Sequence, residues 1–206
     1  MADVELRTYA FVDSMQAQAA AHVAATCQGD VPVAGMSELF IEVAPGNEIF
    51  RCADVALKAA DVRPALQIVE REFGLLEIHA RGQAEVYAAG RAVLDHLGVE
   101  ESGRLKPRIA SSQFVTNVNP YQAQLINRWR KGNLLLPRSS LFVLEVSPAA
   151  YVTLAANEAE KAANISLIEV RAVGRFGRLF VSGTESEVRT ARDAAVAALE
   201  ALEGRS

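Results

Sequence analysis

"ADVALKAADV" (Ala53–Val62) and "ANEAEKAANI" (Ala156–Ile165) are one segment written twice. Alanines coincide at Ala53/Ala156, Ala56/Ala159, Ala59/Ala162 and Ala60/Ala163, and a lysine coincides at Lys58/Lys161, always 103 residues apart. The same spacing relates Glu42 to Glu145, Val43 to Val146, Pro45 to Pro148, Phe73-Gly74 to Phe176-Gly177 and Leu76 to Leu179. A single shift across so many segments indicates a duplicated domain, since solenoid repeats have periods of only about 20–50 residues. Upstream, "MQAQ" (Met15–Gln18) and "YQAQ" (Tyr121–Gln124) match at a shift of 106, which predicts a small insertion between the copies. Further on the shift falls to 102, with Val86 against Val188. The 206 residues therefore divide into two related domains, 1–99 and 104–206, with the charged "VEESGRLKPR" (Val99–Arg108) as linker.

Each copy reads as the same series of elements. A lead segment contains a helix, "SMQAQAAAHVAATC" or "NPYQAQLINRWRK", with Gly29 and Gly132 placed as C′ glycines. A strand follows, "ELFIEVA" or "SLFVLEVS", and then the Ala-rich helix. Ser147 with Pro148 is the expected start of that helix in copy two, and Asn47 its expected cap in copy one. Two strands come next, "ALQIV" with "GLLEIHA" and "SLIEVRAV" with "GRLFVSG", and a last helix ends each copy. The fold class is α+β: in each domain an antiparallel-rich sheet with packed helices.

Composition narrows the function. Half of the residues are hydrophobic, enough for a core in each copy, and the net charge of −4 argues against a nucleic-acid binder. Cys27 and Cys52 show no ligand spacing and suit a reducing cytoplasm. The opening "MADVELRTYAFVDS" is acidic and unlike a signal peptide, and no apolar run is long enough for a lipid-membrane span. His22, His79 and His96 have no metal-ligand spacing, and no P-loop, GxGxxG or GxSxG is present, so no enzyme, metal or cofactor is expected. Glu77 beside His79 is the one pair with acid–base potential. "NRWRKGN" (Asn127–Asn133) mixes cations with Trp129, which could stack on bases, but cations closing a helix explain it better.

Asp54-Val55-Ala56-Leu57-Lys58-Ala59-Ala60-Asp61-Val62 resembles the D-A-x-x-K-A-A helix of bacterial microcompartment shell proteins, and "IEVAPGNEIF" before it resembles that family's entry into the helix. With the helical lead segment and the duplication, nearly the whole chain, Leu6 to about Leu202, is similar to the tandem, circularly permuted members. Copy two departs with Asn157 and Asn164 where copy one has Asp54 and Asp61. The Gly-rich pore loop of single-domain members is replaced by "VEREFG" (Val69–Gly74) and "AVGRFG" (Ala172–Gly177).

The resemblance implies a structural, non-enzymatic subunit of a cytoplasmic microcompartment shell. Three chains would form a homotrimeric pseudohexameric tile, which in the gated subclass can stack face to face with a second. Tiles would meet other shell proteins at their edges and pass metabolites through a gated central pore. In this reading Glu70 and Arg71 are the gate, and Glu72, Phe73, Gly74, Val173, Gly174 and Arg175 line the rim. Lys58 and Lys161 are the edge-tiling residues. Arg178, with Arg175, would add positive charge nearby. Carboxysome members often carry a longer N-terminal extension, so a catabolic compartment is the expectation. Taken on its own residues, Glu70-Arg71-Glu72 reads as a solvated hairpin turn, whose surface ion pair is worth about 0–1 kcal/mol. The alternative function is a duplicated α+β regulatory module that binds a small metabolite; an enzyme with sites between subunits ranks third.

Overall fold

The computed structural model describes residues 4–206. It divides into two compact units, one running through Pro107 and taking back Leu202–Ser206, the other Arg108–Ala201. The division falls at the C-terminal end of the sequence-based linker, and the last five residues belong with the first unit. There Arg104 Nε donates to the Glu203 carbonyl at 2.9 Å, and Arg205 Nε donates to the Gly103 carbonyl at 2.7 Å.

The first unit contains β1 (Glu5–Val12), α1 (Ala17–Thr26), β2 (Ser37–Ala44), α2 (Ile49–Ala59), β3 (Arg63–Glu70), β4 (Phe73–Ala80) and α3 (Gln83–Leu97). The second contains β5 (Arg108–Val115), α4 (Pro120–Asn127), β6 (Ser140–Ser147), α5 (Tyr151–Ala162), β7 (Ser166–Arg171), β8 (Gly177–Gly183) and α6 (Glu185–Glu200). Each forms a four-stranded antiparallel sheet, ordered β1-β2-β4-β3 and β5-β6-β8-β7. The tandem α+β architecture read from the sequence is present. The lead segments, however, open with edge strands β1 and β5, which the sequence pattern does not separate from the helical lead.

The spacing of 103 extends to the irregularities. The β1–β2 register slips between Leu6 and Thr8, and the β5–β6 register between Ile109 and Ser111. The β3–β4 slip at Pro64/Leu66 is repeated at Leu167/Glu169. α1 and α4 start 103 residues apart as well, so the "MQAQ"/"YQAQ" match at 106 is a coincidence and no insertion lies there.

The Ala-rich helices form because small apolar residues recur every turn. Ile49, Cys52, Ala53 and Ala56 are buried on α2, and Val152, Ala155, Ala156 and Ala159 on α5. Neither helix starts as expected. Ser147 ends β6, Ser147–Pro148 and Ala44–Pro45 are cis, and the residues ahead of α5 and α2 are Ala150 and Glu48, without side-chain caps. Close packing at these entries explains the repeated Phe-Gly. A Cβ on Gly74 would run into the Gly46 carbonyl oxygen, and one on Gly177 would run into that of Ala149. Gly29 and Gly132 likewise serve close approach rather than helix termination. Their amides donate to Ala65 and Ile168, and a Cβ on either would strike the carbonyl of Pro64 or Leu167. Gly98, at φ +68, is the left-handed glycine that ends α3.

Candidate functional site

In β3 and β4, Glu70 pairs with Phe73, leaving Arg71 and Glu72 as a two-residue hairpin loop. Such loops need positive φ at their first position, which favours glycine, asparagine or aspartate. Here Arg71 occupies it at φ +55. Its side chain is 89% exposed, and its Nε stands 3.6 Å from Glu70 Oε1, whose side chain is 46% exposed. The pair is therefore a weak surface contact within one chain, with both charges free to find other partners. The hairpin's base is held more firmly. The Arg7 guanidinium lies 3.7 Å above the Phe73 ring while its Nε donates to Glu42 Oε1 at 2.7 Å, tying β1, β2 and β4 together. Gly74 is buried in β4 beneath the turn that enters α2, which gives it a packing role.

The copy-two hairpin is looser. Its last pair is Arg171 with Arg178, and residues 172–176 form the loop. Two arginines facing each other across strands would repel, but each is neutralised: Arg171 by Glu169 at 3.3 Å, Arg178 by Glu145 at 2.6 Å. Arg178 is thus committed within its sheet, whereas Arg175 sits in the loop with its guanidinium 5.5 Å from the Phe176 ring centre. Val173 is 40% exposed, and Gly174 takes φ +99 at the position 103 residues after Arg71.

Lys58 and Lys161 lie in the last turns of α2 and α5. Each has an acid one helical turn back: Lys58 reaches Asp54 at 2.7 Å and Lys161 reaches Glu158 at 3.5 Å. The "NRWRKGN" segment is engaged within its own unit. Trp129 meets Phe180 edge-on at 5.1 Å and Arg171 at 4.7 Å, while Arg130 donates to Asn127 and to the Gly132 carbonyl.

A cluster that the sequence pattern only hints at lies inside the first unit. His79 Nδ1 is 3.0 Å from Glu77 Oε1 and its Nε2 is 3.3 Å from Asp30 Oδ1. Glu77 also accepts the Ala65 amide at 2.8 Å. Glu38, paired with His79 across β2 and β4, is fully enclosed. Burial, reinforced by the charge of Glu77, pushes the Glu38 carboxyl well above the usual range. Burial opposes charging His79, but its hydrogen bonds to Glu77 and Asp30 outweigh that and raise its pKa. Glu38 and Glu77 interrupting otherwise apolar strands are the signal that the sequence offers. The contact of His79 with Asp30, from the loop after α1, has no such signal.

Known proteins share this architecture. A profile of the CsoS1D N-terminal domain matches residues 6–103, and one of the BMC domain matches residues 140–205. The carboxysome shell protein CcmP of Synechococcus elongatus is 53% identical over 98% of this chain and 95% of its own length. The carboxysome shell protein CsoS1D of Hydrogenovibrio crunogenus is 47% identical over 98% and 100%. Among solved structures, the fused permuted hexameric shell protein MSM0275 from the RMM microcompartment superposes with a TM-score of 0.95 at 44% identity, covering 98% of this chain and 100% of its own. The double-ringed trimeric shell protein MSM0271 from the same microcompartment gives 0.95 at 38% identity, covering 98% of each chain. Because those carboxysome relatives align over nearly their whole length, chain length does not separate carboxysome from catabolic members. The expectation of a catabolic compartment therefore loses its ground.

Proposed function

This chain belongs to the tandem-domain microcompartment shell proteins, and on that premise we propose that three copies ring a central pore gated by Glu70 and Arg71. The protein is a structural subunit of a microcompartment shell, as are its carboxysome relatives. Three chains supply six related units around the pore, and Lys58 and Lys161 meet their counterparts at tile edges, where other shell proteins join. The tile works without catalysis, admits metabolites, and stacks face to face with a second trimer.

The observation that carries the gate is Arg71. A long cation stands at positive φ in a hairpin whose counterpart uses Gly174. Left-handed backbone costs a non-glycine residue about 1–2 kcal/mol, and such strain concentrates at switch regions. Around a threefold axis, three arginines and three glutamates can pair across subunits and close the hole, or pair within each chain and open it. The within-chain contact between Glu70 and Arg71 at 3.6 Å corresponds to the second arrangement. A metabolite that binds one arrangement better then shifts the balance.

Crystal structures of the wild type and of Glu70→Ala/Arg71→Ala, each in several lattices, test this. The wild type is expected to show two loop arrangements at the axis, and the variant one, with trimers intact. Loops that are identical throughout, or that lie on the outer rim, overturn the assignment.

A further inference from the structure

The second unit holds a cleft of about 740 Å³ between the turn after β5, the loop leading into β6 and the start of α6. That volume lies within the range of small-molecule sites, roughly 300–1,000 Å³. Three serines on its wall stand where copy one has much larger side chains. Ser139 corresponds to Met36, Ser166 to Arg63 and Ser182 to His79, each 103 residues on. Duplication followed by these three differences leaves space and hydroxyl groups in copy two. In copy one the His79 position is committed to Glu77 and Asp30.

The polarity of the wall is specific. Ser139 Oγ donates to the Leu136 carbonyl at 2.7 Å, so in its 2.8 Å contact with Ser182 the proton comes from Ser182. Both hydroxyl protons are thereby used inside the protein, and the pair offers a ligand oxygen lone pairs. Glu187 adds acceptor oxygens; hydrogen bonds from Thr184 hold its carboxyl below the usual range, so it is ionised at neutral pH. Arg138 supplies donors on the same wall, and the exposed Leu136 supplies an apolar surface. Glu185, also on the wall, is neutralised by Arg189 at 2.6 Å, which leaves Glu187 and Arg138 in balance and favours a neutral ligand. A wall of hydroxyl groups, an amide (Asn117), a carboxylate and a guanidinium, with an aliphatic edge, matches a molecule carrying many hydroxyl groups on a carbon chain. We propose that this cleft is a binding site for a small neutral polyol or sugar, separate from the pore hairpin, so that the shell tile also holds a metabolite on its second unit.

Titration calorimetry of the full-length protein with xylitol, and separately with inorganic phosphate, tests this, with light scattering on the same samples. The expected result is one xylitol site per chain with a dissociation constant on the order of 1 mM, and no phosphate heat. Ser139→Met/Ser166→Arg/Ser182→His, which restores the copy-one side chains, should weaken xylitol at least tenfold without changing the assembly state. The milder Ser166→Ala/Ser182→Ala should weaken it several-fold and guards against misfolding of the triple variant. Three results overturn the proposal: no xylitol binding by the wild type, equal binding by both variants, or tighter binding of phosphate than of xylitol. A triple variant that changes assembly while the wild type ignores xylitol shows that the cleft is a contact between chains, and overturns it too.

Discussion

Arg71 and Gly174 occupy one position in the two copies, 103 residues apart, and both are held at positive φ, +55 and +99. The backbone demand is shared, and only the second copy meets it with the residue that suits it. Arg71→Gly should therefore leave the hairpin intact and stabilise it by about 0.5 kcal/mol, the relief of left-handed strain being partly offset by the freer unfolded chain. Chemical denaturation of the wild type and the variant measures this. A loss of more than about 1 kcal/mol would mean that Arg71 holds the fold and is not there for its charge.

Assembly is the second expectation. Light scattering across a concentration series should give three or six times the 22.1 kDa chain mass. A monodisperse monomer would remove the ring and with it the pore.

Lys58→Asp/Lys161→Asp should abolish two-dimensional arrays in electron micrographs while trimers persist, because it sets acids against acids where tiles meet. The Lys58 change also replaces the present 2.7 Å ion pair with a second carboxylate one turn from Asp54, so a loss of up to about 1 kcal/mol is expected in the first unit. Ordered arrays from the double variant would remove these lysines from the edge.

Gly74→Ala should destabilise the first unit by at least about 2 kcal/mol, since the new methyl group meets the Gly46 carbonyl oxygen and, at 2.7 Å, the Ile49 Cβ. Gly177→Ala should do the same in the second unit, where it meets the Ala149 carbonyl oxygen and, at 2.8 Å, the Val152 Cβ. Thermal melts that are unchanged for either variant would contradict the close packing described above.

The Glu38 cluster predicts a pH dependence. Glu38 and His79 both have folded pKa values above their unfolded ones, so the folded chain holds more protons. Their contribution to stability is complete below the unfolded values. That of Glu38 is lost as pH rises from 4.5 toward its folded pKa, and that of His79 as pH rises beyond 6.5. The melting temperature should fall between about pH 5 and pH 8, and Glu38→Gln should flatten that fall, leaving the parts due to His79 and to Glu77, whose carboxyl pKa burial also raises. A profile that rises over this range, or is unaltered in Glu38→Gln, would contradict a buried carboxyl whose pKa is raised.

By itself the sequence established the duplication, the order of most elements and the family. Those follow from local periodicity and from residues repeated at one spacing, which need no knowledge of contacts. It also placed Glu70 and Arg71 in a hairpin. The rest was decided only by tertiary structure. β1 and β5 became strands because β2 and β6 offered edges to pair with, whereas their own residues gave no firm pattern. The Phe-Gly and Gly29/Gly132 positions were settled by backbone segments that pass within contact distance of each other though far apart in sequence. The helix entries escaped prediction because Ser147 was held in the β6 ladder, where it could not act as a cap. The Glu77–His79–Asp30 contacts and the serine-walled cleft depend in the same way on loops folding back against strands, a relationship that neither propensity nor periodicity encodes.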